Sequence, residues 1–388
     1  MSMNADERWI GRSEALTRLG VKAQTLYAYV SRGRIAARPD PQDPRRSLYA
    51  VDDVARLCGD SAGDGPDRRP TPGAAVRGVA DMTSSISLVV DERLFYRGLD
   101  AVQMAEHATV EDAARRLWDC RGANCFADMR PRIDPIVGGS TQRRIMAVLG
   151  RRMVEDRSIR AHDPDSLKRE AASLLNEVID SVSGPGPRLY FHQRLARGFK
   201  VSDGDSHLVR RALVLGAEAG LSDAVIAARA AAAGGAPLAA AALAGLATLG
   251  GSVLTPLDEV VAYVGEARRD PEGAPRRWTA LRGSPPGFGG WSLARNDPRA
   301  AALLGAVDLP DDLTAVRVRG EKIGGRTADF GLALALVARK LELGPTGAGD
   351  LLMLGRLMGL IAHAIDQATD GSPIRARLRY VGPEPGTH

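Results

Sequence analysis

Apolar and polar residues alternate over one short stretch of the chain. Ile86, Leu88 and Val90 fall on one side of SISLVVDERLFYRG, a turn falls at Asp91-Glu92, and Leu94 and Tyr96 resume the pattern. A period of two on either side of a turn predicts a β-hairpin. Beyond it, apolar residues recur at three- and four-residue spacing, which predicts helices to the C-terminus. Thr109-Val-Glu-Asp112 has the form of a capping box, so a helix should open there and run through Leu117-Trp118. The breakers between later helices are short: GGS at 138–140, SGPGP at 183–187, GGAP at 234–237 and GSPPGFGG at 283–290. The sequence has no internal repeat and no heptad array. Its longest apolar stretch, Ala224 to Gly250, holds Arg229, Pro237 and many Ala and Gly residues. Such a stretch predicts a buried helix pair rather than a membrane span, and no membrane partner.

The first 60 residues carry a different pattern. GRSEALTRLGVKAQTLYAYVSRGRI reads as helix, tight turn, helix: Leu16 and Leu19 pack the first helix, Gly20-Val21 turn the chain, and Thr25, Leu26, Tyr29 and Val30 stripe the second, which Gly33 ends. A short strand follows Arg45-Arg46, then a third helix from Asp52. After this unit, seven of the twenty residues at 61–80 are Gly or Pro, a density that sustains neither helix nor strand and marks a linker.

Composition narrows this picture. A chain of 388 residues has room for two or three domains. Aromatic residues make up only 4%, so the core must be built from Ala, Leu and Val, which favours close-packed helices. A net charge of +5 is mild, but its distribution is uneven. Between Arg12 and Arg46, the basic residues Arg12, Arg18, Lys22, Arg32, Arg34, Arg38, Arg45 and Arg46 face only Glu14, Asp40 and Asp43, a surplus suited to a phosphate backbone. Cys58, Cys120 and Cys125 cannot form a disulfide framework, and no Cys/His cluster has zinc spacing, so no metal is expected. The polar start MSMNADERWIGR lacks the apolar core of a signal peptide, which predicts a cytoplasmic protein.

Residues 8–58 resemble the winged helix-turn-helix DNA-binding domain of the MerR family. That resemblance places Lys22, Gln24, Thr25 and Tyr27 near the N-terminus of the helix entering the major groove, with Arg45 and Arg46 on the wing against phosphates. From about residue 80 the chain resembles citrate synthases. LFYRGLDAVQMAEHATVEDAARRLW, HQRLARGFKV, LVRRALVLGAEAGLSDAVIAAR, PPGFGG, NDPRA, TADFGLALALVARKLEL, GRLMGLIAHAIDQ and IRARLRYVGP occur in that family's order. The resemblance implies an all-α body of a large and a small helical domain, the small one at about 255–332. With it go three units: 1–60, a linker at 61–80, and a body at 81–388. It also implies a homodimer, and condensation of an acyl-CoA with a 2-oxoacid, the acyl-CoA being substrate or ligand and no other cofactor being required.

The family's chemistry uses a carboxylate base, an enol-stabilising histidine, two further histidines and three arginines that hold a dicarboxylate. On this resemblance Asp329, in Thr327-Ala328-Asp329-Phe330, matches the base, and Arg299, Arg356 and Arg377 match the arginines, Arg377 being donated by a second subunit. The histidine positions read differently. The segment that is Ala-Asp-His-Glu-Leu-Asn in the family is Ala217-Glu218-Ala219-Gly220-Leu221-Ser222 here, so Ala219 replaces the first. Leu254 replaces the enol-stabilising one, in a loop that Pro256 and Leu257 should stiffen. Gly290, followed by Trp291, replaces the third. His192 and His363 match non-catalytic positions, and His363 reads as a core helix residue. Three functions follow: a degenerate synthase binding a di- or tricarboxylate or acyl-CoA in a regulatory role with a DNA-reading module; an active citrate or 2-methylcitrate synthase-type enzyme with a rebuilt site; or a non-catalytic subunit paired with an intact citrate synthase paralogue.

Overall fold

The structure, a computed structural model, describes residues 9–19, 23–31, 35–40, 46–51, 82–120, 124–127, 139–187, 189–289 and 296–370, with residues 43, 53, 54, 122, 129 and 374 between them. The chain divides into two compact units, Met1–Asp81 with Ala376–His388, and Met82–Arg375.

In the first unit, strand β1 (Trp9–Gly11) leads into helices α1 (Arg12–Leu19) and α2 (Ala23–Ser31), followed by β2 (Ala37–Pro39) and β3 (Ser47–Ala50). The strands form an antiparallel sheet in the order β1-β3-β2, with Trp9 opposite Ala50 and Pro39 opposite Ser47. The sequence pointed to β3 alone; three-residue strands are too short for alternation to register. Ala15, Leu19, Leu26, Ile35, Tyr49 and Val54 form its small core. Val51, Asp53 and Val54 have helical backbone where a third helix was expected. Gly20-Val21, Gly33 and the linker at 61–80 lie outside the described residues.

The second unit opens with the predicted hairpin. β4 (Ser87–Val90) pairs with β5 (Arg93–Tyr96), Ser87 opposite Tyr96, and the turn places Asp91 and Glu92 at φ of 47° and 63°. A third strand, β6 (Leu99–Asp100), joins the sheet; two residues carry no sequence signal. Asp100 then caps α3 (Ala101–His107), its carboxylate accepting from Val102 N at 2.7 Å. Thr109 and Asp112 form the expected reciprocal cap of α4 (Val110–Leu117), their two bonds 3.1 Å each. The body continues through α5 (Thr141–Glu155), α6 (Pro164–Ser183), α7 (Phe191–Gly198), α8 (Ser206–Gly216), α9 (Asp223–Ala233), α10 (Leu238–Leu249), α11 (Thr255–Ala267), α12 (Gly273–Arg282), α13 (Pro298–Leu304), α14 (Asp311–Gly324), α15 (Phe330–Lys340) and α16 (Gly347–Asp370).

Helix α16 is the axle of this unit. It packs on α9, α10, α8, α15, α6 and α4, and nearly every residue from Gly347 to Gln367 is buried. By length and apolar content alone, Gly347–Asp370 and Leu238–Ala267 could each cross a membrane. The first is enclosed by its neighbours, and α9 and α10, which hold the long apolar stretch, pack on each other and on α16. Glycines set the closeness of approach. A Cβ on Gly355 would stand 2.9 Å from Leu213 O, and one on Gly359 would overlap the carbonyl oxygen of Ala217 and stand 3.1 Å from Glu218 Oε2. Backbone blocks that methyl, so Gly359→Ala should destabilise the fold by about 1–3 kcal/mol, read as a lower denaturant midpoint.

The segment expected to be a stiffened loop is helical. Gly250–Leu254 forms a π-turn that joins α10 to α11. Two glycines and a proline suggest a break, but Pro256 sits in the first turn of α11, where its missing N–H costs little. The wider π-turn absorbs the change of register without ending the helix.

Candidate functional site

Asp329 follows a tight crossing of two loops. Its N–H donates to Gly287 O at 2.9 Å, and Ala328 bridges to Phe288 in antiparallel fashion. With extended backbone, Asp329 becomes the N-cap of α15, its Oδ1 accepting from Leu332 N at 3.0 Å. The cap is 6% exposed and sits at the positive end of the helix, where a carboxylate is favoured. A Cβ at Gly331, on the first turn, would meet Asp329 Oδ1 at 3.2 Å and Leu257 Cδ1 at 3.7 Å. Leu257 of α11 therefore packs beside Gly331 on that turn. Leu254 is half-buried and lies against Gly349 of α16, where a Cβ would stand 3.6 Å from its Cδ2.

Arg299 comes to the same helix through its motif. Asn296-Asp297-Pro298-Arg299 starts α13: Asp297 caps it, accepting from Arg299 N at 3.0 Å. The same carboxylate grips the guanidinium at two points, Nε to Oδ1 at 3.0 Å and NH2 to Oδ2 at 2.8 Å. The Arg299 guanidinium lies over the ring of Phe330, 4.8 Å from its centre. Phe330 directly follows Asp329, so this stacking joins the two motifs.

Arg356 lies in the buried middle of α16. Burial pushes its pKa down and the positive charge of Arg299 adds to that, while the negative charge of Glu218 and the phenol of Tyr96 oppose it. Tyr96 donates to Val214 O at 2.9 Å and is wholly buried, which pushes its own pKa up. Two buried cations, the buried carboxylates of Glu218 and Asp297 and one buried phenol therefore share a field.

Glu218 is the residue the sequence reading passed over. It is 2% exposed and lies two residues beyond the end of α8, beside Ala219. Its Oε1 accepts from the N–H groups of Ala219 at 2.6 Å and Gly220 at 2.9 Å, and its Oε2 lies 2.6 Å from His363 Nε2. His363 Nδ1 is 3.3 Å from Arg229 NH1, and Arg229 bonds Gln367 Oε1, Asp366 Oδ2 and Thr83 O at 3.1, 2.9 and 3.0 Å. His363 is thus a core helix residue as expected, but one tied into an ionic chain. The available signal was spacing: His363 follows Arg356 by two turns of one helix, so both face the same side.

At the positions where the family resemblance expects histidines, Ala219 carries a methyl group and Leu254 an isobutyl group. Gly290, Trp291 and Arg377 lie outside the described residues. The cavity beside Arg299, edged by Arg93, Leu94, Asp100 and Asp297, is about 10 Å³, the space of one water. A roomier one of about 520 Å³ lies at the other end of α15, among Val261, Val264, Arg268, Ala335, Arg339 and Pro345. Among the described residues no three or more His, Cys, Asp or Glu side chains converge on a metal position.

In the N-terminal unit, Tyr27 is half-exposed on α2 and the Arg12 guanidinium lies 5.3 Å from its ring centre. Arg46 is open to solvent, 3.3 Å from Asp43. Lys22 and Arg45 lie outside the described residues, as do the side chains of Gln24 and Thr25.

A helical body built on a buried central helix, with a capping aspartate and two buried arginines drawn together, has the architecture of the citrate synthases. The structure superposes on citrate synthase from Thermotoga maritima MSB8 with a TM-score of 0.64 at 20% identity, covering 80% of this chain and 96% of that one. The enzyme from Pyrobaculum aerophilum gives 0.62 at 17%, over 79% and 91%. The Thermoplasma acidophilum enzyme, in a ternary complex with carboxymethyl coenzyme A and oxaloacetate, gives 0.60 at 15%, over 79% and 94%. Residues 142–377 match the family model described as citrate synthase, C-terminal domain, and the chain belongs to the citrate synthase family. A comparison with curated proteins returned no match.

Proposed function

We propose that this chain binds a di- or tricarboxylate, or an acyl-CoA, at Arg299 and Arg356 and serves a regulatory rather than a synthetic role. The observation that carries the reading is the pairing of those arginines. Both guanidinium groups are buried, Asp297 holds that of Arg299 in a fixed orientation, and the charge of Arg299 is felt at Arg356, an arrangement suited to reading a carboxylate through paired donors. The groups that would donate a proton to the reacting carbonyls are meanwhile replaced by Ala219 and Leu254. A structural relative holding carboxymethyl coenzyme A and oxaloacetate supports the ligand class. On this reading the active form is a homodimer in which Arg377 completes the second subunit's site.

A bound ligand stabilises the native state by mass action, by about 2.7 kcal/mol at a hundred times its Kd. Citrate or oxaloacetate should therefore raise the melting temperature of the protein. Arg356→Ala should lose that rise while keeping a cooperative melt. A melt unmoved by citrate, oxaloacetate and acetyl-CoA alike would overturn the reading.

The N-terminal unit, on the same proposal, reads duplex DNA through α2. The support is the basic surplus together with exposed Tyr27, flanked by Arg12. Fluorescence anisotropy with a mixed-sequence duplex should give an affinity that falls steeply with salt and weakens further in an Arg45→Ala/Arg46→Ala variant. Equal affinity in both proteins would remove the wing from the interface.

A further inference from the structure

Two cysteines that the sequence places five residues apart meet in space. Cys120 Sγ and Cys125 Sγ are 3.1 Å apart, and the two residues are 9% and 8% exposed. The backbone beside each cysteine is held by hydrogen bonds. On one side Asp119 takes φ of 56° and Cys120 N donates to Arg115 O at 2.9 Å. On the other, Ala127 N closes a turn on Asn124 O at 2.9 Å. Trp118 and Phe126, which flank the cysteines, stack at 5.6 Å, and Phe126 meets the edge of Phe191 at 5.5 Å. Trp118 Nε1 donates to Met358 O at 3.0 Å, so this aromatic clamp is anchored on α16.

Two cations and one carboxylate, Asp119, lie around the pair, and the cations outweigh it. Lys168 Nζ donates to Asp119 O at 3.0 Å, and both Lys168 and Arg115 act on Cys120. The hydrogen bond shared with Cys125, together with these cations, holds the Cys120 thiol below its ordinary value against the effect of burial. The Cys125 thiol is pushed up by the same bond and by burial. One sulfur is thus poised as the nucleophile and the other as its resolving partner.

We infer that Cys120 and Cys125 form a peroxide-reactive dithiol that closes to an intramolecular disulfide. The Cys120 thiolate attacks hydrogen peroxide: an S–O bond forms, the O–O bond breaks, and water leaves. Cys125 then attacks the sulfenic sulfur, forming the S–S bond and releasing a second water. Two thiols lose two electrons and two protons, and one peroxide is reduced. The shallow burial suits a small oxidant, and the pinned ends leave the sulfurs little distance to travel.

The full-length native protein, treated with one equivalent of hydrogen peroxide and quenched with iodoacetamide, tests this. Trypsin cuts after Arg121, so the disulfide should appear as two peptides, one holding Cys120 and one holding Cys125, joined until reduced. Their linkage should form about tenfold or more faster than in the same chain unfolded in urea. Cys125→Ser should accumulate a sulfenic acid at Cys120 that dimedone traps, and Cys58→Ser should behave as the parent. Full alkylation of both cysteines after peroxide, equal rates in native and unfolded chains, or trapping at Cys58 in place of Cys120 would each overturn the assignment.

Discussion

Given acetyl-CoA and oxaloacetate, the purified protein should release CoA at least about 10²-fold more slowly than a citrate synthase bearing all three histidines. The condensation needs a proton taken from the methyl group, a donor to the enol oxygen and a donor to the keto oxygen. One oxyanion-type donor is worth about 10²–10³ in rate. General acid catalysis contributes about 10²–10⁴. Such losses need not multiply, so the lower bound is the safer figure. Here the Ala219 N–H is already committed to Glu218, Leu254 packs on Gly349, and Leu257 covers the first turn of the helix that Asp329 caps. On the proposed reading, the carboxylate of Asp329 lacks an acid to work with. Asp329→Ala should leave the residual release unchanged and cost about 1 kcal/mol of stability through the lost cap. Release that is both rapid and abolished by Asp329→Ala would mean that other donors have rebuilt the site, and the regulatory proposal would fall.

The largest stability effect is expected at Glu218. Glu218→Ala removes the acceptor for two backbone N–H groups and the partner of His363, and leaves Arg356 without its nearby negative charge. Breaking a buried ionic pair in this way costs about 3–5 kcal/mol. For a unit of this size the melting temperature should fall by about 10 °C. Glu218→Gln, which keeps the carbonyl acceptor, should lose less. The effect also has a pH signature. Burial alone would raise the Glu218 carboxyl, but the charge and hydrogen bond of His363, the charge of Arg356 and the Ala219 N–H outweigh it and hold the pKa below its ordinary value. In the unfolded chain the group titrates near its ordinary value of 4.5. Its contribution is therefore complete above that pH and is lost as the pH falls through the lower folded value. Chemical denaturation from pH 7 to strong acid should show parent and Glu218→Ala curves converging. Parallel curves would place the stabilising charge elsewhere.

Much of the site was legible because its motifs are contiguous. Asp297-Pro298-Arg299 and Thr327-Ala328-Asp329-Phe330 each hold cap and functional residue within four positions, so local chemistry and family resemblance pointed to the same side chains. Glu218 was not legible, because a lone acid at a helix end is ordinary until its partner is known, and His363 lies 145 residues away. The π-turn at Gly250–Leu254 escaped for a related reason. Its glycines and Pro256 are breakers by local preference, and only the packing of α10 and α11 on their neighbours overrides that preference.

What the sequence by itself determined is whatever depends on neighbours along the chain: the hairpin at 87–96, the Thr109–Asp112 cap and the helical body. The tertiary structure decided which groups share a field. It put Arg299 on Phe330, Arg356 beside Glu218, His363 between Glu218 and Arg229, and Lys168 near Cys120. The physical reason is range. Capping, turns and periodicity act over a few residues and are written in consecutive letters. Coulombic and packing partners are chosen by where the glycines of α16 let helices approach, and that distance exists only once the chain has folded.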